Sequence, residues 1–188
     1  MNIIPIISIH QYPMEQLGTL LKKLLNKNIT ELYILDELGI KKNEPCVDAY
    51  QALASRYDLW VDAGPRNIDD IVDDLFTGAN RIVIRPKIWI EQDIKEIHHL
   101  TENEIYLHMH DQELQNFDYS KYQKPYGIIY EVSDTNPLQL ADKNKIKTIH
   151  QMHPFYCYNP HIKDKEFFEN LDIPGIMIPL DTRDTWMP

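Results

Sequence analysis

Basic residues, cysteine and glycine are scarce in this sequence of 188 residues. Lys and Arg number 19 against 29 Asp and Glu, which gives a formal net charge of -10. Because such a charge repels a phosphate backbone, we expect no nucleic-acid partner. The two cysteines, Cys46 and Cys157, lie far apart and belong to no CxxC motif. This spacing argues against a disulfide framework and against a zinc knuckle.

Long hydrophobic runs and a basic leader are also missing. No window approaches the roughly 20 consecutive apolar residues that a membrane span requires. The opening residues, Met-Asn-Ile-Ile-Pro, lack the basic n-region of a signal peptide. We therefore predict a cytoplasmic protein, with no membrane partner and one domain over residues 1–188. The sequence leaves both homo- and hetero-oligomers open.

What the sequence does contain is a regular alternation of β-branched runs with helical patterns, which is typical of βα units around a parallel sheet. Strands are predicted at residues 3–9, 31–35, 58–61, 81–84, 104–109, 127–132, 146–149 and 175–180. Helices are predicted at residues 14–25, 46–57 and 91–100, with a further helix that begins after Asn67 as N-cap and ends at Gly78.

Eight βα units predict a compact (β/α)8 barrel of the TIM type, just under the usual lower limit of about 200 residues. Because the helical patterns shorten in the second half, the barrel is either compact throughout or partly eroded there. The alternative is an open doubly wound sheet of about five or six strands, with the C-terminal third packed irregularly. The number of strands distinguishes the two folds.

A familiar pattern covers residues 32–39 (LYILDELG), 59–66 (LWVDAGPR) and 78–84 (GANRIVI). It resembles the HisA/HisF family of barrels, which includes the phosphoribosylformimino-aminoimidazole-carboxamide ribotide isomerase and a related cyclase. The form Val-Asp-Ala-Gly at residues 61–64 is similar to a branch of that family found in methanogens and methylotrophs. The resemblance implies a barrel fold and, for that branch, a role in tetrahydromethanopterin-linked one-carbon metabolism.

The parental isomerase activity is not expected. The family uses an aspartate on its first strand, where this sequence has Ser8. Its glycine-rich phosphate turns are replaced here by RPK at residues 85–87, HQMHP at 150–154 and DTRD at 181–184. Proline donates no N–H and aspartate repels phosphate, so these turns do not suit the family's substrate.

Ionisable residues gather at the predicted carboxyl ends of the strands, where the active sites of TIM barrels lie. We predict acid/base roles for Asp36, Asp62, His108 and His150, and substrate binding by His10, Arg85, Lys87 and Glu131. The same ends also carry Glu37, Asp134, His153 and Asp181. Asp36 and Asp62 form an acid/base pair or each cap a turn. Arg85 and Lys87 form an anion site, or Arg85 is held by a salt bridge to Asp62 or Glu37.

Histidines suggest a metal hypothesis for the same region. His108 and His110 are two residues apart, so on a strand they point to the same side. Together with His10, His150 or Asp62 they could hold a divalent transition metal ion. The alternative is that both histidines only form hydrogen bonds with neighbouring groups.

Two further segments have competing interpretations. The run PFYCYNP at residues 154–160 is either a lid over the mouth or a packed loop. The acidic residues Asp69, Asp70, Asp73 and Asp74 are predicted to form a solvated helix face. For the whole chain we predict an enzyme with isomerase- or lyase-like acid/base chemistry on a small anionic metabolite. The alternative is a catalytically silent barrel that acts as a binding or assembly subunit.

Overall fold

The computed structural model describes residues 1–11, 14–25, 29–90, 97–110, 113, 125–131, 138 and 140–182. The strands are β1 (Asn2–Ser8), β2 (Glu31–Leu35), β3 (Asp58–Asp62), β4 (Arg81–Ile84), β5 (Glu104–Met109), β6 (Gly127–Glu131), β7 (Phe155–Tyr158) and β8 (Gly175–Pro179). The α-helices of this described part are α1 (Met14–Leu25), α2 (Glu37–Lys42), α3 (Val47–Ala54), α4 (Ile68–Phe76), α5 (Ile97–Leu100), α6 (Leu140–Met152) and α7 (Lys165–Leu171). Short 3-10 segments lie at Ile9–Gln11 and Ile162–Asp164.

The eight strands form a closed barrel. Each strand pairs in parallel with the next one, and β8 returns to β1, where Asn2 lies opposite Gly175 and Ile6 opposite Pro179. The predicted (β/α)8 barrel of the TIM type is therefore confirmed, and the open sheet is excluded. β5 to β8 complete the barrel and α6 has 13 residues, so the described residues of the second half do not show the erosion.

Strand residues alternate between two apolar cores. Outward-facing side chains pack against the helices in a large cluster that includes Leu32, Ile34, Leu59 and Val61. Inward-facing side chains fill the barrel interior and are mostly aromatic at its centre, where the Trp60 and Tyr106 ring centroids are 4.4 Å apart. This period of two decides which residues at the strand ends point into the mouth.

The prediction for strand seven was wrong. Residues 146–149 lie inside α6, where Ile146 and Ile149 are both buried on one helix face at a spacing of three. The strand is Phe155–Tyr158 instead, within the run interpreted as a lid or a loop. Phe155 and Cys157 are buried against the helices, while Tyr158 belongs to the interior cluster. The alternation of a strand is therefore present in this run.

The helix predictions need smaller corrections. The second predicted helix, at residues 46–57, is shorter in the structure, and a separate helix, α2, precedes it. Asn67 caps α4 as predicted, since its side chain accepts a hydrogen bond from the Asp70 N–H at 2.9 Å. Residues 91–96 of the predicted fourth helix and residue 132 of the predicted sixth strand lie outside the described residues. Nowhere in the described ranges is a helix long and apolar enough to cross a membrane.

The acidic face predicted on α4 is only partly solvated. Asp69 and Asp73 face outward, but the Asp74 side chain is buried, with 3% of the residue exposed. Asp74 follows Ile71 by three residues, which places both on the buried side of the helix. Burial, followed by the negative charges of Asp70, Asp36, Asp73 and Asp62, raises the pKa of Asp74 to about 8.

The turn after β3 requires glycine. Gly64 has a φ of 68°, and a Cβ there would lie 2.8 Å from the Ile40 Cα. We expect Gly64→Ala to lower the free energy of unfolding by about 1–3 kcal/mol, because the left-handed backbone and the contact with another backbone are both unfavourable. Urea denaturation measures this loss. Gly18→Ala in α1 is the control: a Cβ there meets nothing within 4 Å, so stability should stay equal or rise.

Candidate active site at the carboxyl end of the barrel

The alternation of the strands brings a charged cluster to the mouth of the barrel. Trp60, Tyr106 and Ile129 point into the interior, so the residues two positions later on their strands point the same way. Those residues are Asp62, His108 and Glu131. Arg85 follows the inward-facing Val83 by the same step and joins them.

Asp62 is the buried anion at the base of the cluster. Its carboxylate accepts hydrogen bonds from Arg85 Nε at 2.9 Å and Arg85 Nη2 at 2.6 Å, and one from the Tyr33 hydroxyl at 2.6 Å. Burial alone would raise the pKa of Asp62, but the Arg85 charge and the hydrogen bond from His108 hold it well below the ordinary value. Asp62 is therefore a fixed negative charge, and Arg85 forms the salt bridge that was the alternative to an anion site.

His108 connects this ion pair to the open side of the mouth. Its side chain is fully buried, and its Nδ1 lies 2.9 Å from the Tyr33 oxygen. Burial raises the pKa of Tyr33 well above its ordinary value, so the hydroxyl keeps its single hydrogen, which is donated to Asp62. Nδ1 also lies 3.3 Å from Arg85 Nη2, which can only donate, so Nδ1 accepts from Arg85 when it carries no proton and donates to the Tyr33 oxygen when it does. Nε2 then remains to interact with Glu131.

Glu131 and His110 form the outer part of the cluster. Glu131 Oε2 lies 2.8 Å from His108 Nε2 and 3.4 Å from His110 Nε2. The Glu131 side chain is 23% exposed and that of His110 is 45% exposed. Burial opposes ionisation of Glu131, but the hydrogen bond and charge of His108 outweigh it and lower the pKa of the carboxyl. Exposure therefore increases across the cluster, from the buried Asp62 to the partly exposed His110.

Asp36 lies on the other side of the sheet. It follows the outward-facing Ile34, and its side chain accepts hydrogen bonds from the Gly39 and Cys46 N–H groups, at 2.9 and 2.7 Å, and from the Tyr50 hydroxyl. His10 Nε2 lies 2.7 Å from Asp36 Oδ1. Asp36 thus caps α2, which is the capping alternative, and the hydrogen bond that joins it to Asp62 is a backbone one, from the Asp36 N–H to the Asp62 carbonyl at 3.0 Å.

Asp36 should matter for stability. Burial would raise its pKa, but the hydrogen bonds from Gly39, Tyr50, His10 and Cys46 lower it. We expect Asp36→Asn to lower the free energy of unfolding by about 1–3 kcal/mol, since an amide cannot accept all of these bonds. The loss should shrink as pH falls below about 4, where the wild-type carboxyl is protonated in the unfolded chain. Urea denaturation at several pH values tests this, with exposed Asp48→Asn as control.

The other predicted site residues are not part of this cluster. Lys87 and Asp181 are exposed, while Glu37 lies 2.6 Å from Lys41 and 3.4 Å from the Ser8 hydroxyl. Asp134 lies outside the described residues. His150 and His153 precede β7 instead of following it, because the predicted strand was wrong, and they lie at the opposite end of the barrel.

Tyr33 is the member of the cluster that the sequence predictions missed. It is fully buried and contacts both Asp62 and His108. An available signal was its position on β2, two residues before the strand end and on the inward-facing side. The predicted site residues are charged side chains and histidines, whereas Tyr33 enters the sequence argument only as part of the predicted strand at residues 31–35.

Comparisons with known proteins identify the fold. No family model and no curated protein matches the chain. Among solved structures, the chain is similar to KGPDC from Streptococcus mutans at 13% identity and a TM-score of 0.62, over 89% of this chain and 84% of that chain. It is also similar to DHPS from Yersinia pestis, solved with a pterine-sulfa conjugate, at 13% identity, a TM-score of 0.66, and 94% and 86% coverage.

A third similar structure is 2,3-dimethylmalate lyase, a member of the PEP mutase/isocitrate lyase superfamily. It shares 11% identity at a TM-score of 0.58, over 94% of this chain and 75% of that chain. At these identities the likeness concerns the barrel alone, and the chemistry has to be argued from the side chains of this chain.

Proposed function

We propose that this chain is an enzyme that transfers a proton to or from a small anionic metabolite. The reaction takes place at the carboxyl-end mouth of the barrel. The observation that carries the proposal is the His108 imidazole, with one nitrogen held by Tyr33 and the other 2.8 Å from Glu131. A buried imidazole with a fixed orientation and a partly exposed carboxylate partner is a typical acid/base arrangement.

Within this proposal, each side chain has a definite task. His108 and Glu131 form the reacting centre, because the proton between them can pass to or from a bound molecule. Asp62 and Arg85 are positioning residues: they neutralise each other and fix Tyr33, which fixes the ring of His108. A carboxylate whose pKa is lowered by a guanidinium is a poor base, so we assign no proton transfer to Asp62.

The anionic character of the substrate is supported by the donors that lie outside the Asp62 ion pair. The His110 side chain is 45% exposed at the edge of the cluster, and Lys87, which is not part of the cluster, is exposed two residues after Arg85. The chemistry is isomerase- or lyase-like. The relationship to HisA/HisF and the link to tetrahydromethanopterin-dependent one-carbon metabolism remain predictions from residues 32–39, 59–66 and 78–84.

A screen of carboxylate and phosphate metabolites by thermal shift tests the proposal. We expect at least one compound to raise the Tm of the wild type, and the shift to be lost in Glu131→Gln. Glu169→Gln, an exposed glutamate on α7, is the matched control and should keep the shift. If every ligand binds Glu131→Gln as well as the wild type, the proposed site is wrong. A protein that binds no metabolite but forms a stable complex with another chain would support the silent-barrel alternative.

A further inference from the structure

His108, His110 and Glu131 bring two imidazoles and one carboxylate together at the mouth. One ligand atom from each side chain can be chosen so that all three lie within 4.8 Å of one another. The arrangement follows from the strands: His108 lies on the inward face of β5, His110 comes one residue after that strand ends, and the β5–β6 register, with Met109 opposite Tyr130, places Glu131 beside His110. The ends of the neighbouring strands β5 and β6 therefore bring three possible metal ligands close together.

The three donors differ in exposure in the way that an open metal site requires. The His108 side chain is 0% exposed, that of Glu131 is 23% exposed and that of His110 is 45% exposed. A structural site is usually closed by four protein ligands, whereas a catalytic site has about three and leaves a position for water or substrate. Here the open side faces the mouth.

The contacts behind His108 complete the arrangement. A histidine ligand generally donates its other ring N–H to an oxygen, which fixes the tautomer and the ring. With Nε2 of His108 on an ion, Nδ1 carries the ring proton and the Tyr33 oxygen, 2.9 Å away, accepts it, while the Tyr33 hydroxyl donates to Asp62 at 2.6 Å. Nε2, the nitrogen that faces Glu131 and His110, is thus available as a ligand.

We propose that His108, His110 and Glu131 bind one divalent transition metal ion. Two imidazoles and one carboxylate suit zinc, iron or manganese, while calcium and magnesium prefer oxygen ligands alone. Binding forms bonds from the ion to Nε2 of His108 and to the Glu131 carboxylate, and the proton shared by these two groups leaves to solvent. The ion would then hold an anionic group of the substrate in its open position.

This inference rests on the same side chains as the proposed function and deepens it. With an ion bound, the three residues act as ligands, and proton transfer involves a water or a substrate oxygen next to the ion. Metal binding and turnover are separate measurements, so each can fail without the other. If metal-free protein transfers the proton, the proposed enzyme function holds, and a role of the metal ion in that reaction is contradicted.

The test is a Zn²⁺ titration of tag-free, metal-stripped protein against a chromophoric chelator. We expect one Zn²⁺ per chain. Glu131→Gln and His110→Gln change partly exposed side chains, and each should weaken binding by more than the roughly 10- to 100-fold that follows loss of a group hydrogen-bonded to a metal ligand. Tyr33→Phe should weaken it within that range. His99→Gln, an exposed histidine on α5, should leave the affinity unchanged.

A second readout distinguishes this site from adventitious surface histidines. Co²⁺ should give a visible absorption band in the wild type and in His99→Gln, and the band should be lost in Glu131→Gln. Sub-stoichiometric Zn²⁺ binding would overturn the proposal. Binding of equal strength in the wild type and in both ligand variants would overturn it as well, because the ion would then lie elsewhere.

Discussion

Asp62→Asn is expected to lower the free energy of unfolding by about 3–5 kcal/mol, the usual loss when one partner of a buried ion pair is removed. The carboxylate is fully buried and is bound by both Arg85 and Tyr33. Asparagine would leave Arg85, whose side chain is 18% exposed, without the counter-charge of Asp62. Urea denaturation near pH 7 measures the loss.

The pH dependence of this loss has a definite sign. Because the Arg85 charge lowers the pKa of Asp62 in the folded protein, the stabilisation is complete above the unfolded-state pKa of about 4. It is lost as pH falls below that value towards the folded pKa, so the wild type and Asp62→Asn should converge in acid.

Two variants check the interpretation. Asp58→Asn, an exposed aspartate on the same strand, should change stability by less than about 0.5 kcal/mol. Asp62→Leu combined with Arg85→Met should cost less than Asp62→Asn alone, since no unpaired charge remains buried. If Asp62→Asn were as stable as the wild type at pH 7, the buried ion pair would not support the mouth of the barrel.

Asp74→Asn is expected to stabilise the protein, and to do so increasingly as pH rises above about 4. Burial and the neighbouring carboxylates raise the pKa of Asp74 to about 8 in the folded state. Between about pH 4 and pH 8 the unfolded chain is ionised there while the folded protein is not, so wild-type stability falls by up to about 1.4 kcal/mol per pH unit. Asparagine does not ionise, so the stability of Asp74→Asn does not fall with pH for this reason.

The gain from Asp74→Asn should therefore be near zero at pH 4, grow up to about pH 8 and stay constant above it. At pH 9 we expect Asp74→Asn to raise the free energy of unfolding by on the order of 3 kcal/mol. This is about half of what the full pKa difference between the folded and unfolded states would give, because relaxation and water reduce the cost of the buried charge. Denaturation of both proteins from pH 4 to pH 9 measures it. Asp73→Asn, the exposed neighbour, should show little gain at any pH. A gain that is the same at pH 4 and pH 9 would contradict the raised pKa.

The barrel could be predicted because most of its strands correspond to short apolar runs in the sequence. Glu31–Leu35, Arg81–Ile84 and Glu104–Met109 appear in the structure with the predicted bounds. Strand seven was missed because Ile146 and Ile149, spaced for a helix, look more strand-like than the aromatic run that follows them. A short apolar segment does not by itself distinguish the two periods.

The candidate site could be predicted in part, because the ends of the strands could be located in the sequence. Being at a strand end brought Asp62, Arg85, His108 and Glu131 to the mouth, as expected. Asp36 also ends a strand, but the period of two turns it towards α2. The network through Tyr33 depends on contacts across the barrel between β2 and β5, and these distances are set only when the sheet closes. The same holds for Asp74, whose burial depends on how α4 packs.

The most direct test of the proposed enzyme is proton exchange observed by ¹H NMR. The protein, metal-free and Zn²⁺-loaded, is incubated in D₂O with a mixture of small carboxylate and phosphate metabolites. We predict that the wild type and Glu169→Gln remove a C–H signal next to a carbonyl of one metabolite, and that Glu131→Gln does so about 100-fold or more slowly. If no metabolite exchanges, or if Glu131→Gln exchanges it at the wild-type rate, His108 and Glu131 are not the reacting centre.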